Sequence, residues 1–68
     1  MPKYQIAIED DDAKHIVLDE RQGPIPSKGD IVEVRISDET VELSVMDTVL
    51  VHRQDGPIVR VVLDADTD

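Results

Sequence analysis

The sequence predicts an all-β protein, a small five-stranded antiparallel meander that closes into an open barrel. Apolar and polar residues alternate through the stretch from Ile31 to Leu63, and a period of two is the signature of a strand, whose side chains point to opposite faces in turn. The apolar residues there are mainly Val and Ile, whose β-branching favours strands. No stretch of helical periodicity exceeds one turn. These features favour sheet throughout the chain.

The clearest hairpin joins strands predicted at Ile31–Ser37 and 41–46. The register that places all six apolar side chains on one face pairs Ile36 with Val41, Val34 with Leu43 and Val32 with Val45. The same register sets Arg35 opposite Glu42, an attraction worth up to about 1 kcal/mol. A slip by one residue would turn the apolar set toward water, so the sequence specifies which face is buried.

The last hairpin turns at Gln54-Asp55-Gly56. A three-residue loop ending in a left-handed Gly pairs Val51 with Val59 and Val49 with Val61. A two-residue Asp55-Gly56 loop is the alternative, and it would mix charges into both faces. With the three-residue loop, the outer face carries an apolar strip flanked by two polar residues, and we predict that this set forms a protein interface: Leu50, His52, Ile58, Arg60 and Val62.

The first hairpin is predicted from strands at Lys3–Glu9 and 14–20, joined by a three-residue loop at Asp10–Asp12. That loop pairs Ile6 with Ile16 and Tyr4 with Leu18.

Between the hairpins, residues 21–30 hold two of the three glycines and two of the four prolines and cannot form a helix. We expect Ile25 to pack on the core and Lys28-Gly29-Asp30 to form a tight turn. Met46-Asp47 breaks the alternation and predicts a β-bulge that bends a long fourth strand. The expected architecture is an SH3-like barrel over residues 1–64, followed by a frayed acidic tail at 65–68. A fold of this kind carries no function with it.

Size and composition point toward a partner. A chain of 68 residues buries only about 60% of the surface that its unfolded form exposes. The sequence has no Cys, Trp or Phe, and Tyr4 is its one aromatic residue, so no disulfide and at most one aromatic ring reinforces the core. Small chains without such reinforcement gain stability by association.

The formal net charge is −9, from eleven Asp and five Glu against seven basic residues. Such a surface repels nucleic acids and anionic membranes. The acidity is also typical of salt-adapted proteins, whose self-repulsion is screened by salt. No apolar run approaches the roughly 20 residues of a membrane span, and no signal-peptide pattern opens the chain. We therefore expect a cytoplasmic protein.

No motif indicates catalysis or a cofactor. The cluster Glu9–Asp12 offers carboxylates to a hard cation but lacks the spacing of a calcium loop. His15 and His52 belong to no recognisable triad, and no phosphate-binding glycine loop occurs. We expect no enzyme, no metal, no cofactor and no small-molecule substrate.

Two functions remain. The first is a non-catalytic module that binds a protein or a second copy of itself through the C-terminal hairpin. The alternative is an acidic decoy that occupies the basic surface of a nucleic-acid-binding protein.

Overall fold

The computed structural model describes residues 2–64, and it is all-β with five strands, as predicted. The strands are β1 (Lys3–Glu9), β2 (His15–Gln22), β3 (Ile31–Ile36), β4 (Glu39–Arg53) and β5 (Gly56–Leu63). The predicted tail at 65–68 lies outside the described residues. No helix in residues 2–64 is long and apolar enough to cross a membrane.

The strands form one strongly curled sheet, a half-barrel, in the order β2-β1-β5-β4-β3. The purely antiparallel meander predicted from the sequence is wrong, because β1 pairs with β5 in parallel and β2 does not pair with β3. Consecutive strands run in opposite directions, so with five strands the first, β1, and the last, β5, run the same way and pair in parallel. The half-barrel is left open between β2 and β3, which do not pair with each other.

Strand β4 bends to serve both halves of the sheet. Its first half pairs with β3 and its second half with β5. The register shifts between Val45 and Asp47, which confirms the predicted bulge. The extra residue raises the local twist, so one continuous strand can turn the corner of the half-barrel.

The β3–β4 hairpin buries the face that the sequence predicts, but its strands pair in a different register. Ser37 and Asp38 form a two-residue turn with positive φ at both positions, 50° and 68°, the geometry of a type I′ turn. This turn shifts the pairing by two residues, so the observed pairs are Ile36–Glu39, Val34–Val41 and Val32–Leu43. A shift of two leaves every side chain on its face. Arg35 consequently faces Thr40, and Glu33 faces Glu42.

The β1–β2 hairpin also departs from the predicted pairs. Ile8 lies opposite Ile16, and a bulge between Ile6 and Ala7 leaves Ile6 opposite Asp19. The loop is longer than predicted because the side chain of Asp10 organises it: its Oδ1 accepts hydrogen bonds from the backbone N–H groups of Asp12 and Lys14, both at 2.9 Å. An Asp that mimics a backbone turn in this way favours a local loop over continued pairing.

The core lies on the concave side of the sheet and receives residues from β1, β3, β4 and β5. Its buried members are Tyr4, Ile6, Val32, Val34, Leu43, Val45, Val61 and Leu63. Ile25 packs against it, as predicted. The predicted tight turn before β3 is also present, since the Asp30 N–H donates to the Ser27 carbonyl at 2.9 Å and Gly29 has a φ of 95°.

Candidate protein interface

The turn of the β4–β5 hairpin decides which side chains of the predicted interface share a face. The turn contains only Gln54 and Asp55, with Arg53 opposite Gly56, so the predicted three-residue loop is wrong. Pairs in an antiparallel ladder alternate between hydrogen-bonded and non-bonded, and the pair that flanks a two-residue turn is bonded. The next pair, His52–Pro57, is therefore non-bonded, and the missing N–H of Pro57 costs no hydrogen bond.

The predicted outer strip does not exist as one surface. Val51 pairs with Ile58 and Leu50 with Val59, and directly opposite residues share a face. Leu50 and His52 therefore lie on one face, and the other face holds the remaining members of the set: Ile58, Arg60 and Val62. Leu50 is 58% exposed, but Ile58 and Val62 are only 5% and 1% exposed.

Ile58 and Val62 are buried by neighbours on the face opposite the core. Strand β5 lies between β1 and β4, and on this face Ala7 of β1 is directly beside Val62. Gln5 and Ala7 are buried as well, with exposures of 6% and 0%. The central strands are thus covered on both sides within one chain, so Ile58 and Val62 cannot contact a partner without rearrangement.

A row of polar groups crosses this second face. The Nε of Arg60 donates to Gln5 Oε1 at 3.0 Å, and its Nη1 lies 3.4 Å from Nδ1 of His15. On its other side, His15 Nε2 lies 3.9 Å from a carboxylate oxygen of Glu9. The sequence does not predict this arrangement, because it depends on the parallel β1–β5 pair and on the five-residue loop that sets Glu9 opposite His15. His52 lies on the opposite face from Arg60, exposed to solvent.

The acidic loop at Asp10–Asp12 uses one of its carboxylates to stabilise its own backbone. Two backbone N–H groups occupy the Oδ1 of Asp10, while Asp11 and Asp12 are exposed. Within residues 2–64, no three His, Asp or Glu side chains come together in a way that could hold a metal ion.

The opening between β2 and β3 is bridged by a side chain. Nη2 of Arg21 donates to the backbone carbonyl of Glu33 at 2.8 Å, and its Nε contacts Asp19 Oδ2 at 3.2 Å. Glu33 and Glu42 lie directly opposite one another beside this opening, and neither forms an ion pair within the described part of the chain.

Four large apolar side chains of residues 2–64 are exposed. Ile16 and Val17 lie on β2, Ile31 on β3 and Leu50 on β4, with exposures of 46%, 43%, 62% and 58%. Three of the four therefore belong to the two edge strands of the sheet. Edge strands that carry apolar side chains are natural sites of contact with another chain.

Comparison of this chain with known protein families, with curated proteins and with solved structures gives no match.

Proposed function

We propose that this chain is a non-catalytic protein-binding or self-assembly module built on an SH3-like barrel, and that Leu50 and His52 are the contact residues of its C-terminal hairpin. The observation that carries the proposal is the exposure of Leu50, 58% of its surface, on a regular strand. Full burial of a Leu side chain contributes about 1.5–3 kcal/mol. A partner that covers Leu50 would recover part of that free energy.

The size of the chain supports association. The buried hydrophobic side chains are almost all Val, Ile and Leu, with Tyr4 as the one aromatic residue. A small core of this kind supplies a narrow margin of stability, and a partner that binds only the folded state adds to that margin.

The test is the substitution Leu50→Glu, with Thr40→Glu as the matched control. Both residues are exposed on strand β4, but Thr40 lies in the half that pairs with β3. Under the proposal, the wild-type chain forms dimers or larger species by light scattering, Leu50→Glu gives a folded monomer, and Thr40→Glu behaves as the wild type. A wild-type chain that stays monomeric at millimolar concentration and binds no protein partner through Leu50 contradicts the proposal.

A second candidate, the acidic decoy, is supported by a different surface. The β3–β4 hairpin exposes Glu33, Asp38, Glu39 and Glu42, with Glu33 directly opposite Glu42. Closely spaced carboxylates of this kind present the charge that a basic nucleic-acid-binding protein recognises. Such binding should weaken steeply with salt and after Glu42→Lys, but it should be insensitive to Leu50→Glu. No binding at low ionic strength removes this candidate.

Salt adaptation is a third explanation of the charge, one that needs no partner. It predicts that the melting temperature rises steeply from low to molar salt as self-repulsion is screened. A cytoplasmic location likewise stays a prediction.

A further inference from the structure

We propose that the opening between β2 and β3 accepts an extended basic peptide, which adds to the sheet as a strand paired with β3. This inference rests on the proposed protein-binding function, but it assigns that function a second surface, separate from Leu50, and a class of partner.

The backbone of β3 directs the required N–H and C=O groups to the open edge. The N–H of Val45 donates to the carbonyl of Asp30 at 2.8 Å, which fixes the bonded positions of the β3–β4 ladder. Because bonded and non-bonded pairs alternate in an antiparallel ladder, the even-numbered residues of β3 bond to β4. The odd-numbered residues direct their N–H and C=O groups to the open edge, and these residues are Ile31, Glu33 and Arg35.

The two edges of the sheet are not equivalent. The pairing of β2 with β1 is interrupted by a bulge beside Leu18, and a bulge twists an edge away from regular pairing. The pairing of β3 with β4 is continuous from Ile31 to Ile36. An incoming strand therefore finds a regular template only on β3.

Arg21 occupies this template in the free chain. Its guanidinium donates a hydrogen bond, 2.8 Å long, to the carbonyl of Glu33, one of the edge-facing acceptors. The side chain is 34% exposed, so solvent can replace the contact. Arg21 acts as a stand-in for the N–H donor of a missing strand, and a peptide that pairs with β3 must displace it or share that carbonyl with it.

The charges beside the opening select a basic occupant. Glu33 and Glu42 are opposite one another and have no cationic partner within residues 2–64. A Lys or Arg on the added strand, opposite Glu33, would compensate this pair. The neighbouring positions of the added strand point to the core face, beside Val32 and Val34, and favour apolar residues. A second copy of the chain fits less well, since it brings a net charge of −9.

The experiment titrates the full chain with a short peptide in which Val and Lys alternate, followed by amide NMR. The expected result is shift changes and slowed hydrogen exchange at the edge-facing amides of Ile31, Glu33 and Arg35, with weaker binding as salt increases. A peptide in which Val and Glu alternate should not bind. The substitution Glu33→Lys should weaken binding about fivefold or more, since it replaces an attraction by a repulsion.

Two further variants separate the mechanism from a general effect of charge. Glu33→Pro removes an N–H that faces the edge together with the charge and breaks no bond to β4, so it should abolish binding in a chain that still folds, whereas Glu33→Gln removes the charge alone and should only weaken binding. Arg21→Ala frees the carbonyl of Glu33 and should strengthen binding. Leu50→Glu should leave peptide binding unchanged, so that failure of the hairpin interface and failure of this inference can be told apart.

Three results would overturn the inference. Shift changes confined to the Asp10–Asp12 loop or the β4–β5 hairpin would place the peptide elsewhere. Equal binding of the two peptides would remove the charge argument. Protection of the β3 edge without peptide, together with the mass of a dimer, would identify the occupant as a second copy.

Discussion

The guanidinium of Arg21 on β2 reaches the backbone carbonyl of Glu33 on β3 at 2.8 Å, across the opening of a half-barrel whose edges share no ladder. The same guanidinium contacts Asp19 on its own strand at 3.2 Å. The contact links the β1–β2 hairpin to the β3–β4 hairpin, as does the ion pair at 3.3 Å between Arg53 on β4 and Glu20 on β2. It therefore matters both for stability and for access to the edge of β3.

The first prediction concerns this bridge. Arg21→Ala should lower the free energy of unfolding by about 1 kcal/mol, the usual net contribution of a hydrogen bond, because partial exposure offsets the advantage of the charge. Urea denaturation measures the change. Arg35→Ala is the control: its contact with Asp38 is 3.9 Å long and its side chain is 74% exposed, so no measurable loss is expected. Equal effects of the two variants would show that the bridge contributes nothing of its own.

A second prediction follows from the like-charge pair Glu33–Glu42. The two residues form a non-bonded pair, in which side chains approach most closely. Glu42→Lys should raise the free energy of unfolding by a few tenths to about 1 kcal/mol, with a smaller gain at high salt. Glu39→Lys makes the same change of charge opposite Ile36 and should gain less. The prediction fails if the thermal midpoint of Glu42→Lys does not exceed that of Glu39→Lys.

The sequence identified the strands because their pattern is local, and it identified the buried face of β3–β4 for the same reason. It could not fix the register of that hairpin, since a shift of two residues leaves the faces of Val34 and Val41 unchanged. The type I′ turn that decides the register is formed by Ser37 and Asp38, whereas Asn-Gly is the usual signal for such a turn.

The last hairpin shows a different limit. Val49, Leu50 and Val51 are consecutive apolar residues, as are Ile58 and Val59, so two registers that differ by one residue both give an apolar face. Central strands covered on both sides have continuous rather than alternating apolar runs. The parallel pairing of β1 with β5 has no local signal at all. For these two reasons the sequence predicts that Ile58 and Val62 are exposed on the outer face, although the structure buries both.

A third prediction tests the loop between β1 and β2. Asp10→Ala removes the oxygen that accepts two backbone hydrogen bonds and should cost about 1 kcal/mol, as for the loss of a helix cap. Asp11→Ala changes the charge equally at an exposed neighbour and should be neutral or slightly stabilising, because it relieves repulsion. Chemical denaturation of both variants makes the comparison. If the two variants have the same stability, the hydrogen bonds to Asp10 make no measurable contribution.

A fourth prediction uses the strained backbone of the same loop. Ala13 has a φ of 61°, in the left-handed region that costs a residue with a Cβ about 1 kcal/mol or more. Ala13→Gly should therefore stabilise the chain by several tenths of a kcal/mol, after allowance for the greater freedom of Gly in the unfolded state. Ala7→Gly, in a buried position of β1, should destabilise it. A loss of stability in Ala13→Gly would contradict the prediction.

The last prediction distinguishes the two faces of the C-terminal hairpin. Val62 is 1% exposed and Leu50 is 58% exposed, so the same substitution to Glu should have opposite consequences. Val62→Glu buries an unpaired carboxylate between Ala7 and the bend of β4 and should cost about 3 kcal/mol or more, which is enough to unfold much of a domain this small. Leu50→Glu should leave the circular dichroism spectrum and the cooperative unfolding transition of the monomer intact. If both variants fold, position 62 accepts a charged side chain and must be accessible to solvent. That result would restore the outer strip that the sequence predicts, and with it an interface on the face of Arg60. If Val62→Glu unfolds and Leu50→Glu does not, association through this hairpin must use the face of Leu50 and His52.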